Sequence, residues 1–319
     1  MSETNLEPLR LLSIVVPVYG CEACIAVLCD RVDRVLKQRN QSYEMILVDD
    51  RSTERSWEIL MELCNCYPNI KAIKLSRNFG QHLAITAGFA QSKGDYVIVM
   101  DCDLQDPPEV IPQLIDEAMK GYDIVFAKRI SRTHSWFRQW ASKYYFKLLN
   151  RLTEKNVDGA DGSFSIVSRK VVESFLRFGE RERHYLFILR WLGYKTSSIN
   201  YEHADRYAGK SSYPLKLLIR HALDGLFFQA TVLLKWIIKT GLLFAFSGVI
   251  LAAYYIWQYL LYGSLHGWTT LVVLILLSTG TILTSLGVIG LYIGRIFEQI
   301  KQRPLFIIDT ISGGSQTQD

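Results

Sequence analysis

Between Thr240 and Gly294 the chain contains no Asp, Glu, Lys or Arg. A chain of 319 residues has too little interior to bury so long an uncharged run in one domain. Gly241–Leu261 and Trp268–Gly294 are each long enough to cross a hydrocarbon core of ~30 Å as a helix. Gly263-Ser264-Leu265-His266-Gly267 separates them as a tight turn. A buried hairpin in a soluble protein is the competing reading, and the lengths argue against it. Lys235 and Lys239 precede the first span, and Arg295, Lys301 and Arg303 follow the second, while the turn carries no Lys or Arg. Both ends of the hairpin are therefore expected on the cytosolic side of a plasma membrane. Just upstream, Tyr213–Lys239 mixes leucines and phenylalanines with Lys216, Arg220, His221 and Lys235. This reads as an amphipathic helix lying in the interface, or else as one docked on the globular part.

The rest of the chain has a different rhythm. Leu11–Val18, Tyr43–Val48, Ile70–Leu75, Tyr96–Met100 and Asp123–Ala127 are short apolar runs rich in branched residues. Helical patterns separate them, at about Ala23–Lys37, Ser56–Cys66, up to Ala90, and Glu109–Lys120. Strands alternating with helices of this length predict βαβ units and a mostly parallel, Rossmann-like sheet. The start, MSETNLEPLR, has no basic-then-apolar signal pattern, so this half is expected in the cytosol. A net charge of +5 is too small to suggest a nucleic-acid partner, though enough for an anionic membrane surface.

In parallel sheets, ligands bind beyond the carboxyl ends of the strands. That rule gathers Tyr19, Asp49, Asp50, Ser76, Asp101 and Asp103 on one rim. Each alone has a plain explanation: Asp49-Asp50 as a helix cap, Tyr19 as packing on the sheet edge. Asp101-Cys102-Asp103 is the most informative group, because residues two apart on an extended chain share a face. Two carboxylates at a strand mouth suit Mg²⁺ or Mn²⁺, which take oxygen ligands and keep room for substrate phosphates. The six cysteines, Cys21, Cys24, Cys29, Cys64, Cys66 and Cys102, all lie in this half and are expected reduced. Cys21-x-x-Cys24 with Cys64-x-Cys66 is a weak zinc pattern, lacking knuckle glycines and histidines.

The motifs VPVY, VDD-x-ST, SRNFG-x5-TAG and GDYVIVMDCDLQDPPE together resemble family 2 glycosyltransferases of the GT-A fold. Within them the chain is similar to the polyprenyl-phosphate group, which includes bactoprenol glucosyltransferases and dolichol-phosphate mannose synthases. Lys128-Arg129, Arg190-Trp191-Leu192-Gly193 and Arg206-x-x-Gly209-Lys210-Ser211 extend the likeness over nearly the whole chain. The resemblance implies that Pro17, Tyr19, Glu22, Asp49 and Asp50 hold the nucleoside, and that Asp101, Asp103 and Gln105 bind metal and diphosphate. Asp103, Arg129 and Arg206 would carry catalysis, with Arg206, Lys210 and Ser211 at the acceptor phosphate. It further implies inverting transfer of one sugar from a nucleotide sugar, with a UDP-sugar favoured, to a lipid such as undecaprenyl phosphate. The setting would be a bacterial inner membrane, and a homo-tetramer is conceivable by analogy.

The expected division is a catalytic domain over 1–212, interfacial helices over 213–239, two spans over 240–295 and a cytosolic tail over 296–319. Three departures from the family pattern stand out. Gly20-Cys21 replaces the usual Asn before Glu22, and Arg51 replaces a glycine. Gly-Asp-Phe-Arg-Leu becomes Gly162-Ser163-Phe164-Ser165-Ile166; Asp158 and Asp161 are nearby, and no catalytic base is carried over to this segment. A phosphate acceptor is already anionic, so attack on the anomeric carbon needs no strong base. Two rival readings remain at this stage. A processive polysaccharide synthase usually carries Gln-x-x-Arg-Trp and more spans, and only Arg190-Trp191 is present. A degenerate membrane scaffold is motivated by Ser163, Ser165 and Cys21.

Overall fold

The computed structural model describes residues 10–130, 161–180, 183–202, 232–262 and 268–314. The described chain falls into two compact units. The first is an α/β domain around one eight-stranded sheet of order β7-β5-β6-β4-β1-β2-β3-β8. Its strands are β1 (Leu12–Val18), β2 (Tyr43–Asp49), β3 (Ile70–Leu75), β4 (Tyr96–Val99), β5 (Ile124–Ile130), β6 (Asp161–Ser168), β7 (Thr196–Glu202) and β8 (Ile308–Gly313). β1 pairs in parallel with both β2 and β4, so chain order reverses between β1 and β4. A crevice opens at such a switch point.

The helices follow from apolar spacing. In α1 (Ile25–Gln38), Ile25, Leu28, Cys29, Val32 and Leu36 are buried, one stripe at intervals of three and four. With α2 (Ser56–Cys66) and α4 (Ile111–Ala118), α1 covers one face of the sheet, where Leu12, Ile14, Val16 and Val18 point. On the other face lie α3 (Gln81–Gln91), α5 (Arg169–Leu176) and α6 (Tyr185–Trp191), against Val15, Val97 and Val99. α3 rests so closely on β1 that a Cβ at Gly88 would lie 2.3 Å from a Val15 methyl carbon.

Five strands match the expected apolar runs within a few residues. β6, β7 and β8 escape the periodicity, and each has a reason. β6 (DGSFSIVS) carries three serines but runs antiparallel between β4 and β5, its polar groups absorbed by neighbours. β7 (TSSINYE) alternates exposed and half-buried residues along its edge of the sheet, burying Tyr201. β8 comes from the stretch expected as a tail, and it pairs antiparallel with β3.

The second unit contains α7 (Val232–Tyr262), of 31 residues, and α8 (Trp268–Ile300), of 33 residues. They contact each other, and both are long and apolar enough to cross a membrane. Leu242, Phe246, Leu260, Leu283 and Ile300 are among their exposed side chains. Lys235 and Lys239 belong to the first turns of α7. The expected interfacial helix over 213–231 and the Gly263–Gly267 turn lie outside the described residues.

Candidate active site

The crevice is prepared by a proline. Val15 O accepts from Met100 N–H on the β4 side, and Val18 O accepts from Asp50 N–H on the β2 side. Alternation therefore aims the missing N–H of Pro17 toward β4, beyond its last paired residue, Val99. Tyr19 follows and is 53% exposed above the opening. Glu22 ties the β1–α1 loop to the β2–α2 loop. Its N–H donates to Glu54 Oε1 at 2.7 Å, and its Oε2 accepts from Arg55 N–H at 3.3 Å.

At the end of β2 the two acids are buried and engaged. Asp49 Oδ1 accepts from Ser52 N–H at 3.0 Å. Asp50 accepts from Phe79 N–H at 2.6 Å and Gly80 N–H at 2.7 Å, so it fixes the SRNFG loop. Burial still holds the Asp50 carboxyl above the ordinary carboxylate range, outweighing those two donors. Arg51 adopts the left-handed conformation (φ +59°) that the replaced glycine favours, and its guanidinium reaches Asp309 on β8 at 3.3 Å.

Beyond β4 the chain alternates. Asp101, Asp103 and Gln105 are half-buried, whereas Cys102, Leu104 and Asp106 are buried. Asp101 Oδ1 accepts from Gln81 Nε2 at 2.7 Å and from Ser163 Oγ at 2.9 Å. Asp103 Oδ1 accepts from Gln105 N–H at 3.2 Å. Burial, then the charges of Asp106 and Asp103, push the Asp101 carboxyl up to about 7 despite the opposing Ser163 hydroxyl and Arg129. Arg129 on β5 donates from Nε to the Tyr201 hydroxyl at 3.1 Å and lies 3.4 Å from Asp106. Tyr201 in turn donates to Asp106. A Cβ at Gly162 would lie 3.2 Å from Arg129 Nε, so glycine leaves the guanidinium its place.

Proximity thus joins Asp101, Asp103 and Arg129, while Asp49, Asp50 and Glu22 bond to the loops around them. Arg206, Lys210, Ser211 and Asp158 lie outside the described residues. Sequence reasoning gave no site role to Gln81, Asp106, Ser163 or Tyr201. Ser163 was visible as a departure, but β6 had to be placed beside β4 before its hydroxyl could be seen to meet Asp101. The expectation of six reduced cysteines is corrected at one pair. Cys21 and Cys102 are disulfide-bonded, with Cα atoms 6.2 Å apart. A sequence separation of 81 hides that their loops leave adjacent strands. Among the described residues no three His, Cys, Asp or Glu side chains converge on one metal-sized point, the proposed zinc pattern included. The donor set at Asp101 and Asp103 nonetheless fits a hard divalent cation. Two crowded carboxylates gain from a positive charge, and substrate phosphate can complete the shell.

An acidic crevice at the switch point of a largely parallel sheet defines an α/β transferase of the GT-A kind. Residues 13–176 match the pattern described as glycosyl transferase family 2, and the chain belongs to that family. It is 36% identical over 303 residues to "Uncharacterized glycosyltransferase YkcC" of Bacillus subtilis, covering 94% of each chain. It is 35% identical over 319 residues to the undecaprenyl-phosphate 4-deoxy-4-formamido-L-arabinose transferase of Photorhabdus laumondii, covering 99% of this chain and 98% of that one. Among solved structures it resembles the glucosyl-3-phosphoglycerate synthase of Mycobacterium tuberculosis crystallised with Mn²⁺, UDP and product. That match has 18% identity and a TM-score of 0.49, covering 69% of this chain and 80% of that one.

Proposed function

We propose that the protein transfers a single sugar, with inversion, from a nucleotide sugar to undecaprenyl phosphate at the cytosolic face of a bacterial inner membrane. The observation that carries this reading is the near full-length likeness to undecaprenyl-phosphate sugar transferases, joined to the crowded acids at the β4 mouth. The long apolar helices α7 and α8 supply the membrane anchor a lipid acceptor requires. In this reading the rim beside Tyr19, Asp49 and Asp50 takes the nucleoside, UDP by preference. Asp101 and Asp103 would hold Mg²⁺ or Mn²⁺, which when bound neutralises charge on the donor diphosphate.

The chain's own residues prepare that step. Gln81 and Ser163 fix the direction of the Asp101 carboxylate from two sides. Asp106 and Tyr201 hold the Arg129 guanidinium at the end of β5, where it stabilises charge developing on the leaving diphosphate. Arg206, Lys210 and Ser211 are assigned to the acceptor phosphate. An anionic phosphate oxygen displaces the diphosphate from the opposite face of the anomeric carbon. No general base is required, which agrees with serine at 163 and 165. A scaffold would have no need to keep Asp101 oriented by two donors.

The test is mass spectrometry of lipid products from membranes given undecaprenyl phosphate, Mn²⁺ and a panel of nucleotide sugars. A glycosylated lipid phosphate made by wild type and absent with Asp103→Ala supports the reading. Nucleotide-sugar consumption without any lipid-linked product overturns it.

A further inference from the structure

Cys21 and Cys102 are bonded between the loops that follow the neighbouring strands β1 and β4. Cys21 is on the β1–α1 loop two residues past Tyr19, and Cys102 separates Asp101 from Asp103. Both are nearly buried, at 8% and 6% exposure, and both belong to the core beneath the rim. Alternation along 101–103 turns Cys102 inward while its two acidic neighbours stay half-exposed. The bond therefore lies inward of the two acids and crosslinks the β1–α1 loop to the segment after β4. Among the described residues Cys24, Cys29, Cys64 and Cys66 form no disulfide.

A cytosolic compartment keeps most thiols reduced, so a bond in this place is one that forms and breaks. We propose that Cys21 and Cys102 are a reversible redox modification site that pins the two loops of the donor crevice together. The oxidant is a peroxide. One thiolate sulfur attacks a peroxide oxygen, the O–O bond breaks, and the departing oxygen leaves as water, giving a sulfenic acid. The second sulfur attacks the first, the S–O bond breaks, and a second water leaves. Two thiols have then lost two hydrogens, and hydrogen peroxide has become two waters. A cellular dithiol reverses the bond by thiol–disulfide exchange.

The bond acts through loop freedom. A donor that bridges the β1 and β4 mouths must order both loops, and a crosslink removes part of that entropic cost beforehand. By reciprocity, a bound nucleoside diphosphate favours the same loop arrangement and promotes bond formation. Oxidised protein thus binds the nucleoside diphosphate more tightly and releases it more slowly. The modification site rests on the cytosolic placement above, and this consequence rests also on the donor reading.

The experiment uses full-length protein in detergent, reduced with dithiothreitol or oxidised with hydrogen peroxide. Non-reducing peptide mapping locates the bond, and calorimetry with UDP and Mn²⁺ reads affinity. The expected result is a Cys21–Cys102 crosslinked peptide only after peroxide, with UDP affinity raised at least about fivefold and restored by dithiothreitol. Cys21→Ser and, separately, Cys102→Ala should abolish both changes while keeping the affinity of the reduced wild type. Thiols that stay open to alkylation after peroxide overturn the proposal, as does a bond that maps to other cysteines. Equal UDP affinity in both states overturns the coupling. If UDP binds neither state, the donor reading fails, and the peptide map alone decides the modification site.

Discussion

At the end of β2, Asp50 directs its carboxylate at two backbone N–H groups, 2.6 and 2.7 Å away. At the end of β4, Asp101 meets two side-chain donors but also the charges of Asp103 and Asp106. Both corners are acidic, both close a buried parallel strand, and the sequence presents them alike. Burial raises both carboxyls above the ordinary range, but their partners differ. An acid answered by backbone donors holds a loop, and its removal costs stability. An acid crowded by other acids costs stability where it stands, and that disposition is characteristic of a ligand site.

The largest expected effect lies at the β4 corner. Asp103→Ala should lower sugar transfer by about 10³-fold, since one electrostatic contact at a developing charge is typically worth about 3–4 kcal/mol of barrier. Asp101→Asn should slow transfer similarly and also raise the unfolding midpoint, because it removes repulsion in the folded state. Transfer assays and urea unfolding of the full chain in detergent would check both. A variant that loses stability in step with activity would erase the distinction between the corners.

The β2 corner should respond the other way round. Asp50→Ala leaves the Phe79 and Gly80 N–H groups without their acceptor, at a cost of about 2–4 kcal/mol in unfolding free energy. Asp50→Asn keeps one acceptor oxygen and should lose roughly half as much. The same unfolding experiment reads both. A fully stable Asp50→Ala with a weakened donor affinity would instead return Asp50 to the nucleoside-binding role that the family likeness implies.

These corners also mark how far the sequence could be read. Strands β1 to β5 were legible because each buries a continuous apolar run between helices, a local pattern that needs no knowledge of partners. β6 was not, since its serines satisfy one another and their neighbours only after pairing: Ser165 Oγ meets the Tyr185 hydroxyl at 2.9 Å and Ser163 O at 3.0 Å. The gathering of acids on one rim followed from strand order alone. Their division into loop anchors and a crowded site did not, because it depends on contacts such as Asp50 with Phe79 and Tyr201 with Asp106. The Cys21–Cys102 bond was hidden for the same reason.

A smaller effect is expected at Tyr201, which joins the β4 corner to β7. Tyr201→Phe removes a hydroxyl that donates to Asp106 and accepts from Arg129. Arg129 keeps its contact with Asp106 but loses one of two anchors, so kcat should fall about tenfold, the equivalent of ~1.4 kcal/mol. Donor KM should change less, and the unfolding midpoint should hold. Tyr201→Leu, which also loses the ring packed edge-on against Phe164, should lower both rate and stability. If Phe and Leu behaved alike, Tyr201 would be packing and not a positioning residue for Arg129.

The smallest effect sharpens the comparison through pH. His184 stacks on Phe187 with ring centroids 4.0 Å apart, and lies 4.5 Å from the ring of His82 at the start of α3. Its Nδ1 is buried with no hydrogen-bond partner among the described residues. Burial lowers its pKa from 6.5 to about 4. Between those values the unfolded chain binds a proton that the folded His184 refuses. Its contribution to stability is therefore present above pH 6.5 and is lost as pH falls toward 4. His184→Phe keeps the ring and removes the titration, so wild type minus variant should show a stability difference that closes upward through this window. This contact braces α3, which begins at the SRNFG loop held by Asp50 and also carries Gln81, a donor to Asp101. Transfer activity measured over the same pH range should follow a different curve, governed by the carboxylates beyond β4. Two superimposable profiles would mean that the corners are one coupled unit.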